Sequence, residues 1–194
     1  MKNIKSICVY CGSRPGKNEA FTRLAHDFGQ ILANHNIRLV YGGGDVGLMG
    51  TIAHSVMDHG GEVLGIIPEH LDDAEVGLRE VTDFRVVANM HERKKMMFDN
   101  SDAFIALPGS IGTVDETIEV ITWKQLKLHD KPSIILNIDG YWDPLLTLID
   151  HFIEQEFTVD ATKKLYHIVD KAEDILPLLS QLPAPSHAPQ DELF

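Results

Sequence analysis

The sequence is poor in cysteine and in positive charge, and it contains no long apolar run. Two cysteines among 194 residues give no disulfide framework, so a reducing, cytoplasmic setting is expected. No apolar run approaches the roughly 18 residues of a membrane span, and we expect no membrane partner. Acidic residues outnumber lysine and arginine by 29 to 17, and the formal net charge of −12 argues against long nucleic acid as a partner.

Recognisable metal and cofactor motifs are also missing. The ten histidines are scattered and no H-E-x-x-H occurs, so we predict no metal. Cys8 and Cys11 form a C-x-x-C, but Cys8 falls within a predicted strand, whereas redox pairs of this type sit at a helix N-terminus. We therefore interpret Cys8 as a small buried apolar residue. A pyridoxal phosphate enzyme would need a lysine in a suitable setting, and we identify none, so no cofactor is expected.

What the sequence does contain is a regular alternation of short apolar runs and helical patterns. Strands are predicted at residues 4–10, 37–41, 62–67, 84–88, 103–107 and 133–138. Helices are predicted at residues 19–35, 47–59, 91–100, 113–128, 141–156, 160–166 and 172–181. This order favours an α/β fold, a single-domain Rossmann-like parallel sheet with helices on both faces. We expect the domain to span residues 1–182 and the proline-rich residues 183–194 to form a disordered tail.

Chemistry-bearing residues cluster where the predicted strands end. The first strand runs into CGSRPGK, the second into YGGGDVGLMG, the fourth into NMHERKK and the fifth into LPGSIGTVDE. In a parallel sheet these loops lie at one edge, which is where ligands bind. Three glycine turns and one basic helix start are therefore expected to meet there.

The glycine turns match two nucleotide motifs only in part. Gly42, Gly44 and Gly47 have G-x-G-x-x-G spacing, but they follow the second strand, and no acid ends the next strand to hold a ribose, so an NAD site is not predicted. The three successive glycines still indicate close backbone approach to some ligand. GSRPGK is one residue short of a P-loop, and Asn18 replaces the magnesium-binding hydroxyl, which argues against an NTPase.

Two features of these loops can each be interpreted in two ways. Ser13 and Arg14 contact a ligand or belong to a solvated turn. The basic run at residues 91–95 is a solvated charged turn or binds an anion, and its place at a helix N-terminus, where cations are mildly unfavourable, favours the anion. Arg93 is the leading contact there, because its planar fork suits phosphate or carboxylate.

The acids of LPGSIGTVDE are equally open to two interpretations. Thr113 and Glu116 have the T-x-x-E spacing of a capping box, in which Asp115 would merely favour the helix dipole. Alternatively, Glu116 is a catalytic carboxylate beside a phosphate held by the glycine turn. Spacing alone leaves both interpretations standing.

Four segments together resemble the Lonely Guy family: GGGDVGLMG, MHERK, PGSIGTVDE and EVITWKQLKLHDKP, at residues 42–50, 90–94, 108–116 and 119–132. The resemblance extends over about residues 4–182. It implies a Rossmann-like homodimer that hydrolyses the N-glycosidic bond of a nucleoside 5′-monophosphate. The substrate would be AMP or N6-modified AMP, a cytokinin precursor, and the products free base and ribose 5-phosphate.

Carried over by position, the resemblance implies that Arg93 and Glu116 are catalytic. The residues expected to bind the nucleotide are Gly109, Ser110, Gly112, Thr113, Lys94, Asp115, Met90, Gly43, Gly44 and Ser13. Ser110 departs from the family, which has glycine there, and serine would impose strain if the position requires a positive φ. Ser110 therefore keeps open a second hypothesis, a non-catalytic nucleotide-binding or sensor module.

Overall fold

The computed structural model describes residues 4–75 and 77–183, which form one parallel sheet with helices packed on both of its faces. The strands are β1 (Ser6–Tyr10), β2 (Arg38–Tyr41), β3 (Val63–Pro68), β4 (Asp83–Val87), β5 (Ala103–Ala106), β6 (Ser133–Leu136) and β7 (His167–Val169). The helices are α1 (Glu19–Asn34), α2 (Gly47–Asp58), α3 (Glu69–Glu75), α4 (Met90–Asp99), α5 (Ile111–Gln125), α6 (Asp143–Glu154) and α7 (Ile175–Gln181). The predicted fold class is confirmed.

The strand order is β4-β3-β2-β1-β5-β6-β7, and every pairing between neighbours is parallel. Strands β2 to β4 extend from one side of β1, and β5 to β7 extend from the other. The order therefore reverses at β1, and the loops after β1 and β5 diverge there. In open α/β sheets, this reversal leaves a crevice at the carboxyl ends of the strands.

The side chains of β1 alternate between the two faces of the sheet, as strand geometry requires. Ile7 and Val9 belong to the core cluster that contains Phe28 of α1, Ile52 of α2 and residues of α7. Cys8 and Tyr10 belong to the opposite cluster, with Phe98 of α4 and Val120 of α5. Helices α1, α2 and α7 thus cover one face, and α4 and α5 cover the other.

The sequence predictions miss some short elements. Strand β7 and helix α3 were not predicted, and they have three and seven residues. The helix predicted at residues 160–166 is a 3₁₀ segment, Asp160–Lys164. The helix predicted from residue 172 begins with the 3₁₀ segment Ala172–Asp174 before α7.

Two further expectations concern the C-terminal tail and membrane-spanning segments. Residues 184–194 of the predicted tail lie outside the described residues. Within the described ranges, none of the helices combines the length and apolarity that crossing a membrane requires.

Candidate functional site

Hydrogen bonds tie together three of the loops that leave the sheet at its carboxyl edge. The Gly12 amide donates to the Pro108 carbonyl at 3.0 Å, and the Leu48 amide donates to the Gly12 carbonyl at 3.0 Å. These bonds join the loops after β1, β2 and β5. Gly47 lies so close to Arg14 that a Cβ atom there would overlap the Arg14 backbone, and its φ of +63° also favours glycine. The three glycine turns therefore meet, as the sequence predicts.

A crevice of about 490 Å³ opens at this junction, where the strand order reverses. Residues 12–16 and the turn at residues 108–110 form its walls, and Phe21, Leu48 and Tyr141 complete it. The rings of Phe21 and Tyr141 meet edge to face at 5.1 Å, and the Tyr141 hydroxyl donates to the Gly109 carbonyl. The crevice has the size and position of a small-molecule site.

Helix α5 begins directly at the crevice. Its N-cap is Ser110, and its first helical hydrogen bond runs from the Val114 amide to the Ser110 carbonyl at 3.0 Å. The preceding amides, of Ile111, Gly112 and Thr113, are those that a helix leaves without a helical acceptor. Together with the helix dipole, they make this end of α5 suited to a phosphate.

The strain considered for Ser110 is not present. Its φ is −114°, in the extended region that any residue adopts. Its side chain makes no capping hydrogen bond to the helix. The hydroxyl of this exposed residue therefore stands at the helix N-terminus without a capping role.

The capping-box interpretation of Thr113 and Glu116 is wrong. Thr113 is the third residue of α5, not its N-cap, and its buried side chain packs over Gly109. Glu116 lies more than one turn into the helix, beyond the amides that a capping carboxylate serves. A related arrangement occurs at α4: Asn89 Oδ1 accepts from the Glu92 amide at 3.0 Å, while Glu92 Oε2 accepts at 3.1 Å from the amide of Ala88, one residue before the N-cap.

Arg93 lies on the inner face of α4, and only 5% of it is exposed. Its Nη2 atom donates to the Gly42 carbonyl at 3.0 Å, and its Nη1 atom lies 3.7 Å from the Met90 sulfur. A solvated charged turn is therefore the wrong interpretation for Arg93. Gly42 is the residue that sequence reasoning missed as a partner of the site, because a Cβ atom there would overlap the guanidinium. The run of three glycines was the available signal.

The charges of Arg93 and Glu116 both shift the pKa of the buried Cys8 thiol. Burial raises the pKa of Cys8 far above its ordinary value, the Glu116 carboxylate raises it further, and the Arg93 guanidinium lowers it. Burial and then Glu116 likewise raise the pKa of Cys11. The two predicted catalytic residues therefore both lie near Cys8, on the face of the sheet that α4 and α5 cover. Both cysteines are free and buried, which confirms the interpretation of Cys8 as a small apolar residue.

Lys94 connects the helix that carries Arg93 to the helix that carries Glu116. Its Nζ atom lies 2.7 Å from Asp115 Oδ2 and 3.4 Å from Glu119 Oε2. Burial lowers the pKa of Lys94, but the hydrogen bond with Asp115 and the charge of Glu119 outweigh it, and the pKa is raised overall. Lys94 and Asp115 are thus engaged with each other across the two helices.

The remaining predicted residues divide between two places. Ser13, Gly109 and Ser110 line the crevice. Gly43 and Gly44 lie on the loop after β2: Gly43 has a φ of +82° and accepts from the Leu78 amide at 2.9 Å, and Gly44 forms a bridge with Gly77. Across residues 4–75 and 77–183, no three histidine, cysteine or acidic residues are grouped so as to hold a metal ion.

The chain matches a known protein family and is similar in sequence to enzymes from plants. A family model described as "Possible lysine decarboxylase" matches residues 49–179. The cytokinin riboside 5′-monophosphate phosphoribohydrolase LOG3 of Arabidopsis thaliana is 45% identical over 183 residues, which cover 94% of this chain and 85% of that protein. LOG4 of the same plant, described as the same enzyme, is 44% identical over 181 residues, 93% of this chain and 84% of that protein.

Solved structures resemble the chain at lower identity. The Moco carrier protein of Chlamydomonas reinhardtii superposes with a TM-score of 0.69 at 18% identity, over 92% of this chain and 97% of that one. A molybdenum cofactor binding protein of Rippkaea orientalis also superposes with a TM-score of 0.69, at 20% identity, over 93% and 98%. At this level of identity the likeness shows the fold alone.

Proposed function

The chain belongs to the family of cytokinin riboside 5′-monophosphate phosphoribohydrolases, and we propose that it hydrolyses the N-glycosidic bond of AMP or an N6-modified AMP. The products are the free base and ribose 5-phosphate. The observation that carries the proposal is the buried Arg93, whose guanidinium is fixed on the Gly42 carbonyl at the edge of the sheet where the loops meet. Identity of about 45% over most of the chain supports it.

The N-terminus of α5 binds the 5′-phosphate in this proposal. The amides of Ile111, Gly112 and Thr113 and the helix dipole all favour an anion there, and the Ser110 hydroxyl adds a donor. Binding energy from the phosphate, remote from the reacting bond, holds the ribose in position for the reaction. The net charge of −12 does not oppose this, because the site acts through local donors.

Glu116 acts on the ribose. Breaking the bond between C1′ and the base leaves positive charge on the sugar, as in glycosidases, and a carboxylate stabilises that cation and orients or deprotonates the attacking water. The water oxygen bonds to C1′, and the base departs with the bonding electrons and takes up a proton. Arg93, held by Gly42, orients the ribose phosphate beside this carboxylate.

The non-catalytic alternative loses its main support. It rested on Ser110 as a residue that would strain the phosphate turn, and the extended φ of −114° shows no such strain. A decarboxylase, which the description of the family model names, would require pyridoxal phosphate bound to a lysine. Lys94, the residue after Arg93, already forms ion pairs with Asp115 and Glu119.

The decisive experiment is a substrate panel. The full-length protein is incubated with nucleoside monophosphates, including AMP and N6-isopentenyl-AMP, and with the matching nucleosides, and free base is measured by chromatography. We expect release from monophosphates only, and a loss in kcat of at least about 100-fold in Arg93→Ala and Glu116→Gln. Glu154→Gln, at an exposed position of α6, serves as the control. Release that survives both variants would refute the site, and no release from any nucleotide would refute the function.

We also propose that the protein is a cytoplasmic homodimer whose single domain spans residues 1–182. The family resemblance supports the dimer, and the two free, buried cysteines suit a reducing compartment. Light scattering at micromolar concentration measures the mass, and a monomeric mass would contradict the dimer. Limited proteolysis should leave a stable fragment that ends near residue 182.

A further inference from the structure

The crevice between β1 and β5 carries positive charge in an otherwise acidic protein. Arg14 lines it and is exposed, and none of the described residues that line it is acidic. Arg14 also forms no ion pair with any residue that the structure describes. The Arg14 guanidinium and the N-terminus of α5 line the same crevice, and each of them favours a bound anion.

The backbone of Arg14 is fixed in place. Gly47 packs directly against it from the loop after β2, and the Arg14 carbonyl lies 3.2 Å from where a Cβ atom of Gly12 would stand. Gly12 is itself hydrogen-bonded to the Pro108 carbonyl, next to the phosphate turn. The loop is thus held against both neighbouring loops before any ligand arrives, which lowers the entropy cost of binding.

We propose that Arg14, which lines the crevice together with Ser110 at the start of α5, binds the 5′-phosphate of the substrate and adds to the selectivity for phosphorylated nucleosides. This inference rests on the proposed function for the identity of the substrate. Arginine presents a planar fork that matches two phosphate oxygens, which lysine does not. Arg14 is therefore a substrate-binding residue, distinct from Arg93, which is buried and held by Gly42.

The first test measures binding without turnover. In a Glu116→Gln background, the full-length protein is titrated calorimetrically with ribose 5-phosphate, AMP and adenosine. Arg14→Ala should raise the Kd of both phosphorylated ligands at least about tenfold and leave that of adenosine unchanged, and Arg14→Lys should fall between. The matched control is Arg23→Ala, whose guanidinium pairs with Glu19 on the exposed side of α1. Thermal unfolding confirms that each variant is folded.

The second test uses the active protein. Arg14→Ala should raise KM for AMP at least about tenfold with kcat within threefold, because the lost contact is the same in the ground and transition states. Equal Kd values for AMP in Arg14→Ala and its parent would overturn the proposal even if hydrolysis is normal. If no nucleotide is hydrolysed, the proposed function fails, but an Arg14-dependent affinity for ribose 5-phosphate still upholds the anion site. Failure of the parent to bind ribose 5-phosphate and AMP would overturn the proposal for Arg14.

Discussion

The Nη2 atom of Arg93 lies 3.0 Å from the carbonyl oxygen of Gly42, a residue 51 positions earlier in the chain. This hydrogen bond joins helix α4 to the loop after β2, at the edge of the sheet where the loops meet. The bond is possible because Gly42 has no side chain. The position of the guanidinium is therefore determined by a glycine on another loop.

Gly42→Ala should inactivate the protein by displacing Arg93. The added methyl group would overlap Nη2 of Arg93 and also approach the Met49 sulfur, 3.1 Å away. We expect kcat to fall at least about 50-fold, because Arg93 is catalytic in the proposed mechanism and a small misplacement of such a group has large effects. Base release and circular dichroism together check this. A folded variant with the kcat of the parent would show that Arg93 does not depend on Gly42.

Gly112→Ala tests how closely the phosphate approaches the Gly112 amide without weakening the fold. Apart from its chain neighbours and the backbone of its own helix, no atom of the described residues lies within 4 Å of where its Cβ would stand, and alanine in a helix is more stable than glycine by about 0.5–1 kcal/mol. The free energy of unfolding should therefore stay the same or rise. If the phosphate approaches this amide closely, KM for AMP should nevertheless rise several-fold.

Gly109→Ala is the contrasting variant for this prediction. A Cβ atom there would overlap the Thr113 side chain, so stability should fall. Urea unfolding measures both variants. A Gly112→Ala protein with unchanged KM would place the phosphate away from this amide.

Lys94→Met should loosen the contact between α4 and α5. Loss of the partly buried pairs with Asp115 and Glu119 should cost about 1 kcal/mol at pH 7. In the folded protein the pKa of Lys94 lies above its ordinary value of 10.5. The contribution of charged Lys94 to the free energy of unfolding is therefore complete below pH 10.5 and is lost as pH rises through the raised pKa. Urea unfolding from pH 7 to 11 should show an alkaline decline that Lys94→Met lacks.

The control for Lys94 is Lys95→Met. Lys95 pairs with Asp99 within α4, and both side chains are substantially exposed, so the variant should change stability little. An alkaline decline of the same size in Lys94→Met and in the parent would contradict the role of Lys94.

His129 should make the protein less stable in mild acid. Its Nε2 atom donates to the Val120 carbonyl at 2.8 Å, and its Nδ1 atom accepts from the Lys131 amide at 3.1 Å, so both nitrogens are satisfied in the neutral ring. Burial lowers the pKa of His129 from 6.5 to about 4. The stabilisation that comes from keeping His129 neutral is complete above pH 6.5 and is lost as pH falls toward about 4. In all, the free energy of unfolding falls by on the order of 3 kcal/mol.

His129→Gln can keep a donor and an acceptor but does not titrate. We expect its stability to decline less steeply than that of the parent between pH 6.5 and 4, in unfolding measured by urea. His151→Gln, at an exposed position of α6, should decline like the parent. Parallel curves for the parent and His129→Gln would contradict the prediction.

Much of the site could be anticipated because its parts follow strand ends. The glycine turns and the basic start of α4 are local patterns, and a parallel sheet places them at one edge. The bond between Arg93 and Gly42 could not be anticipated, because two loops distant in sequence make it. The capping-box interpretation of Thr113 and Glu116 was wrong because the T-x-x-E spacing also occurs inside helices, not only at their N-termini. Strand β7, with three residues, is too short for a periodic pattern to reveal.

The central place of β1 has a consequence for how the protein is made. This strand is the first of the sheet to leave the ribosome, and it pairs with β2 on one edge and, from Ile7 to Tyr10, with residues 103–106 of β5 on the other. The second edge cannot be covered until β5, which begins at Ala103, has been synthesised. The same wait applies to the bond between Gly12 and Pro108, so the crevice forms only when the nascent chain is well advanced.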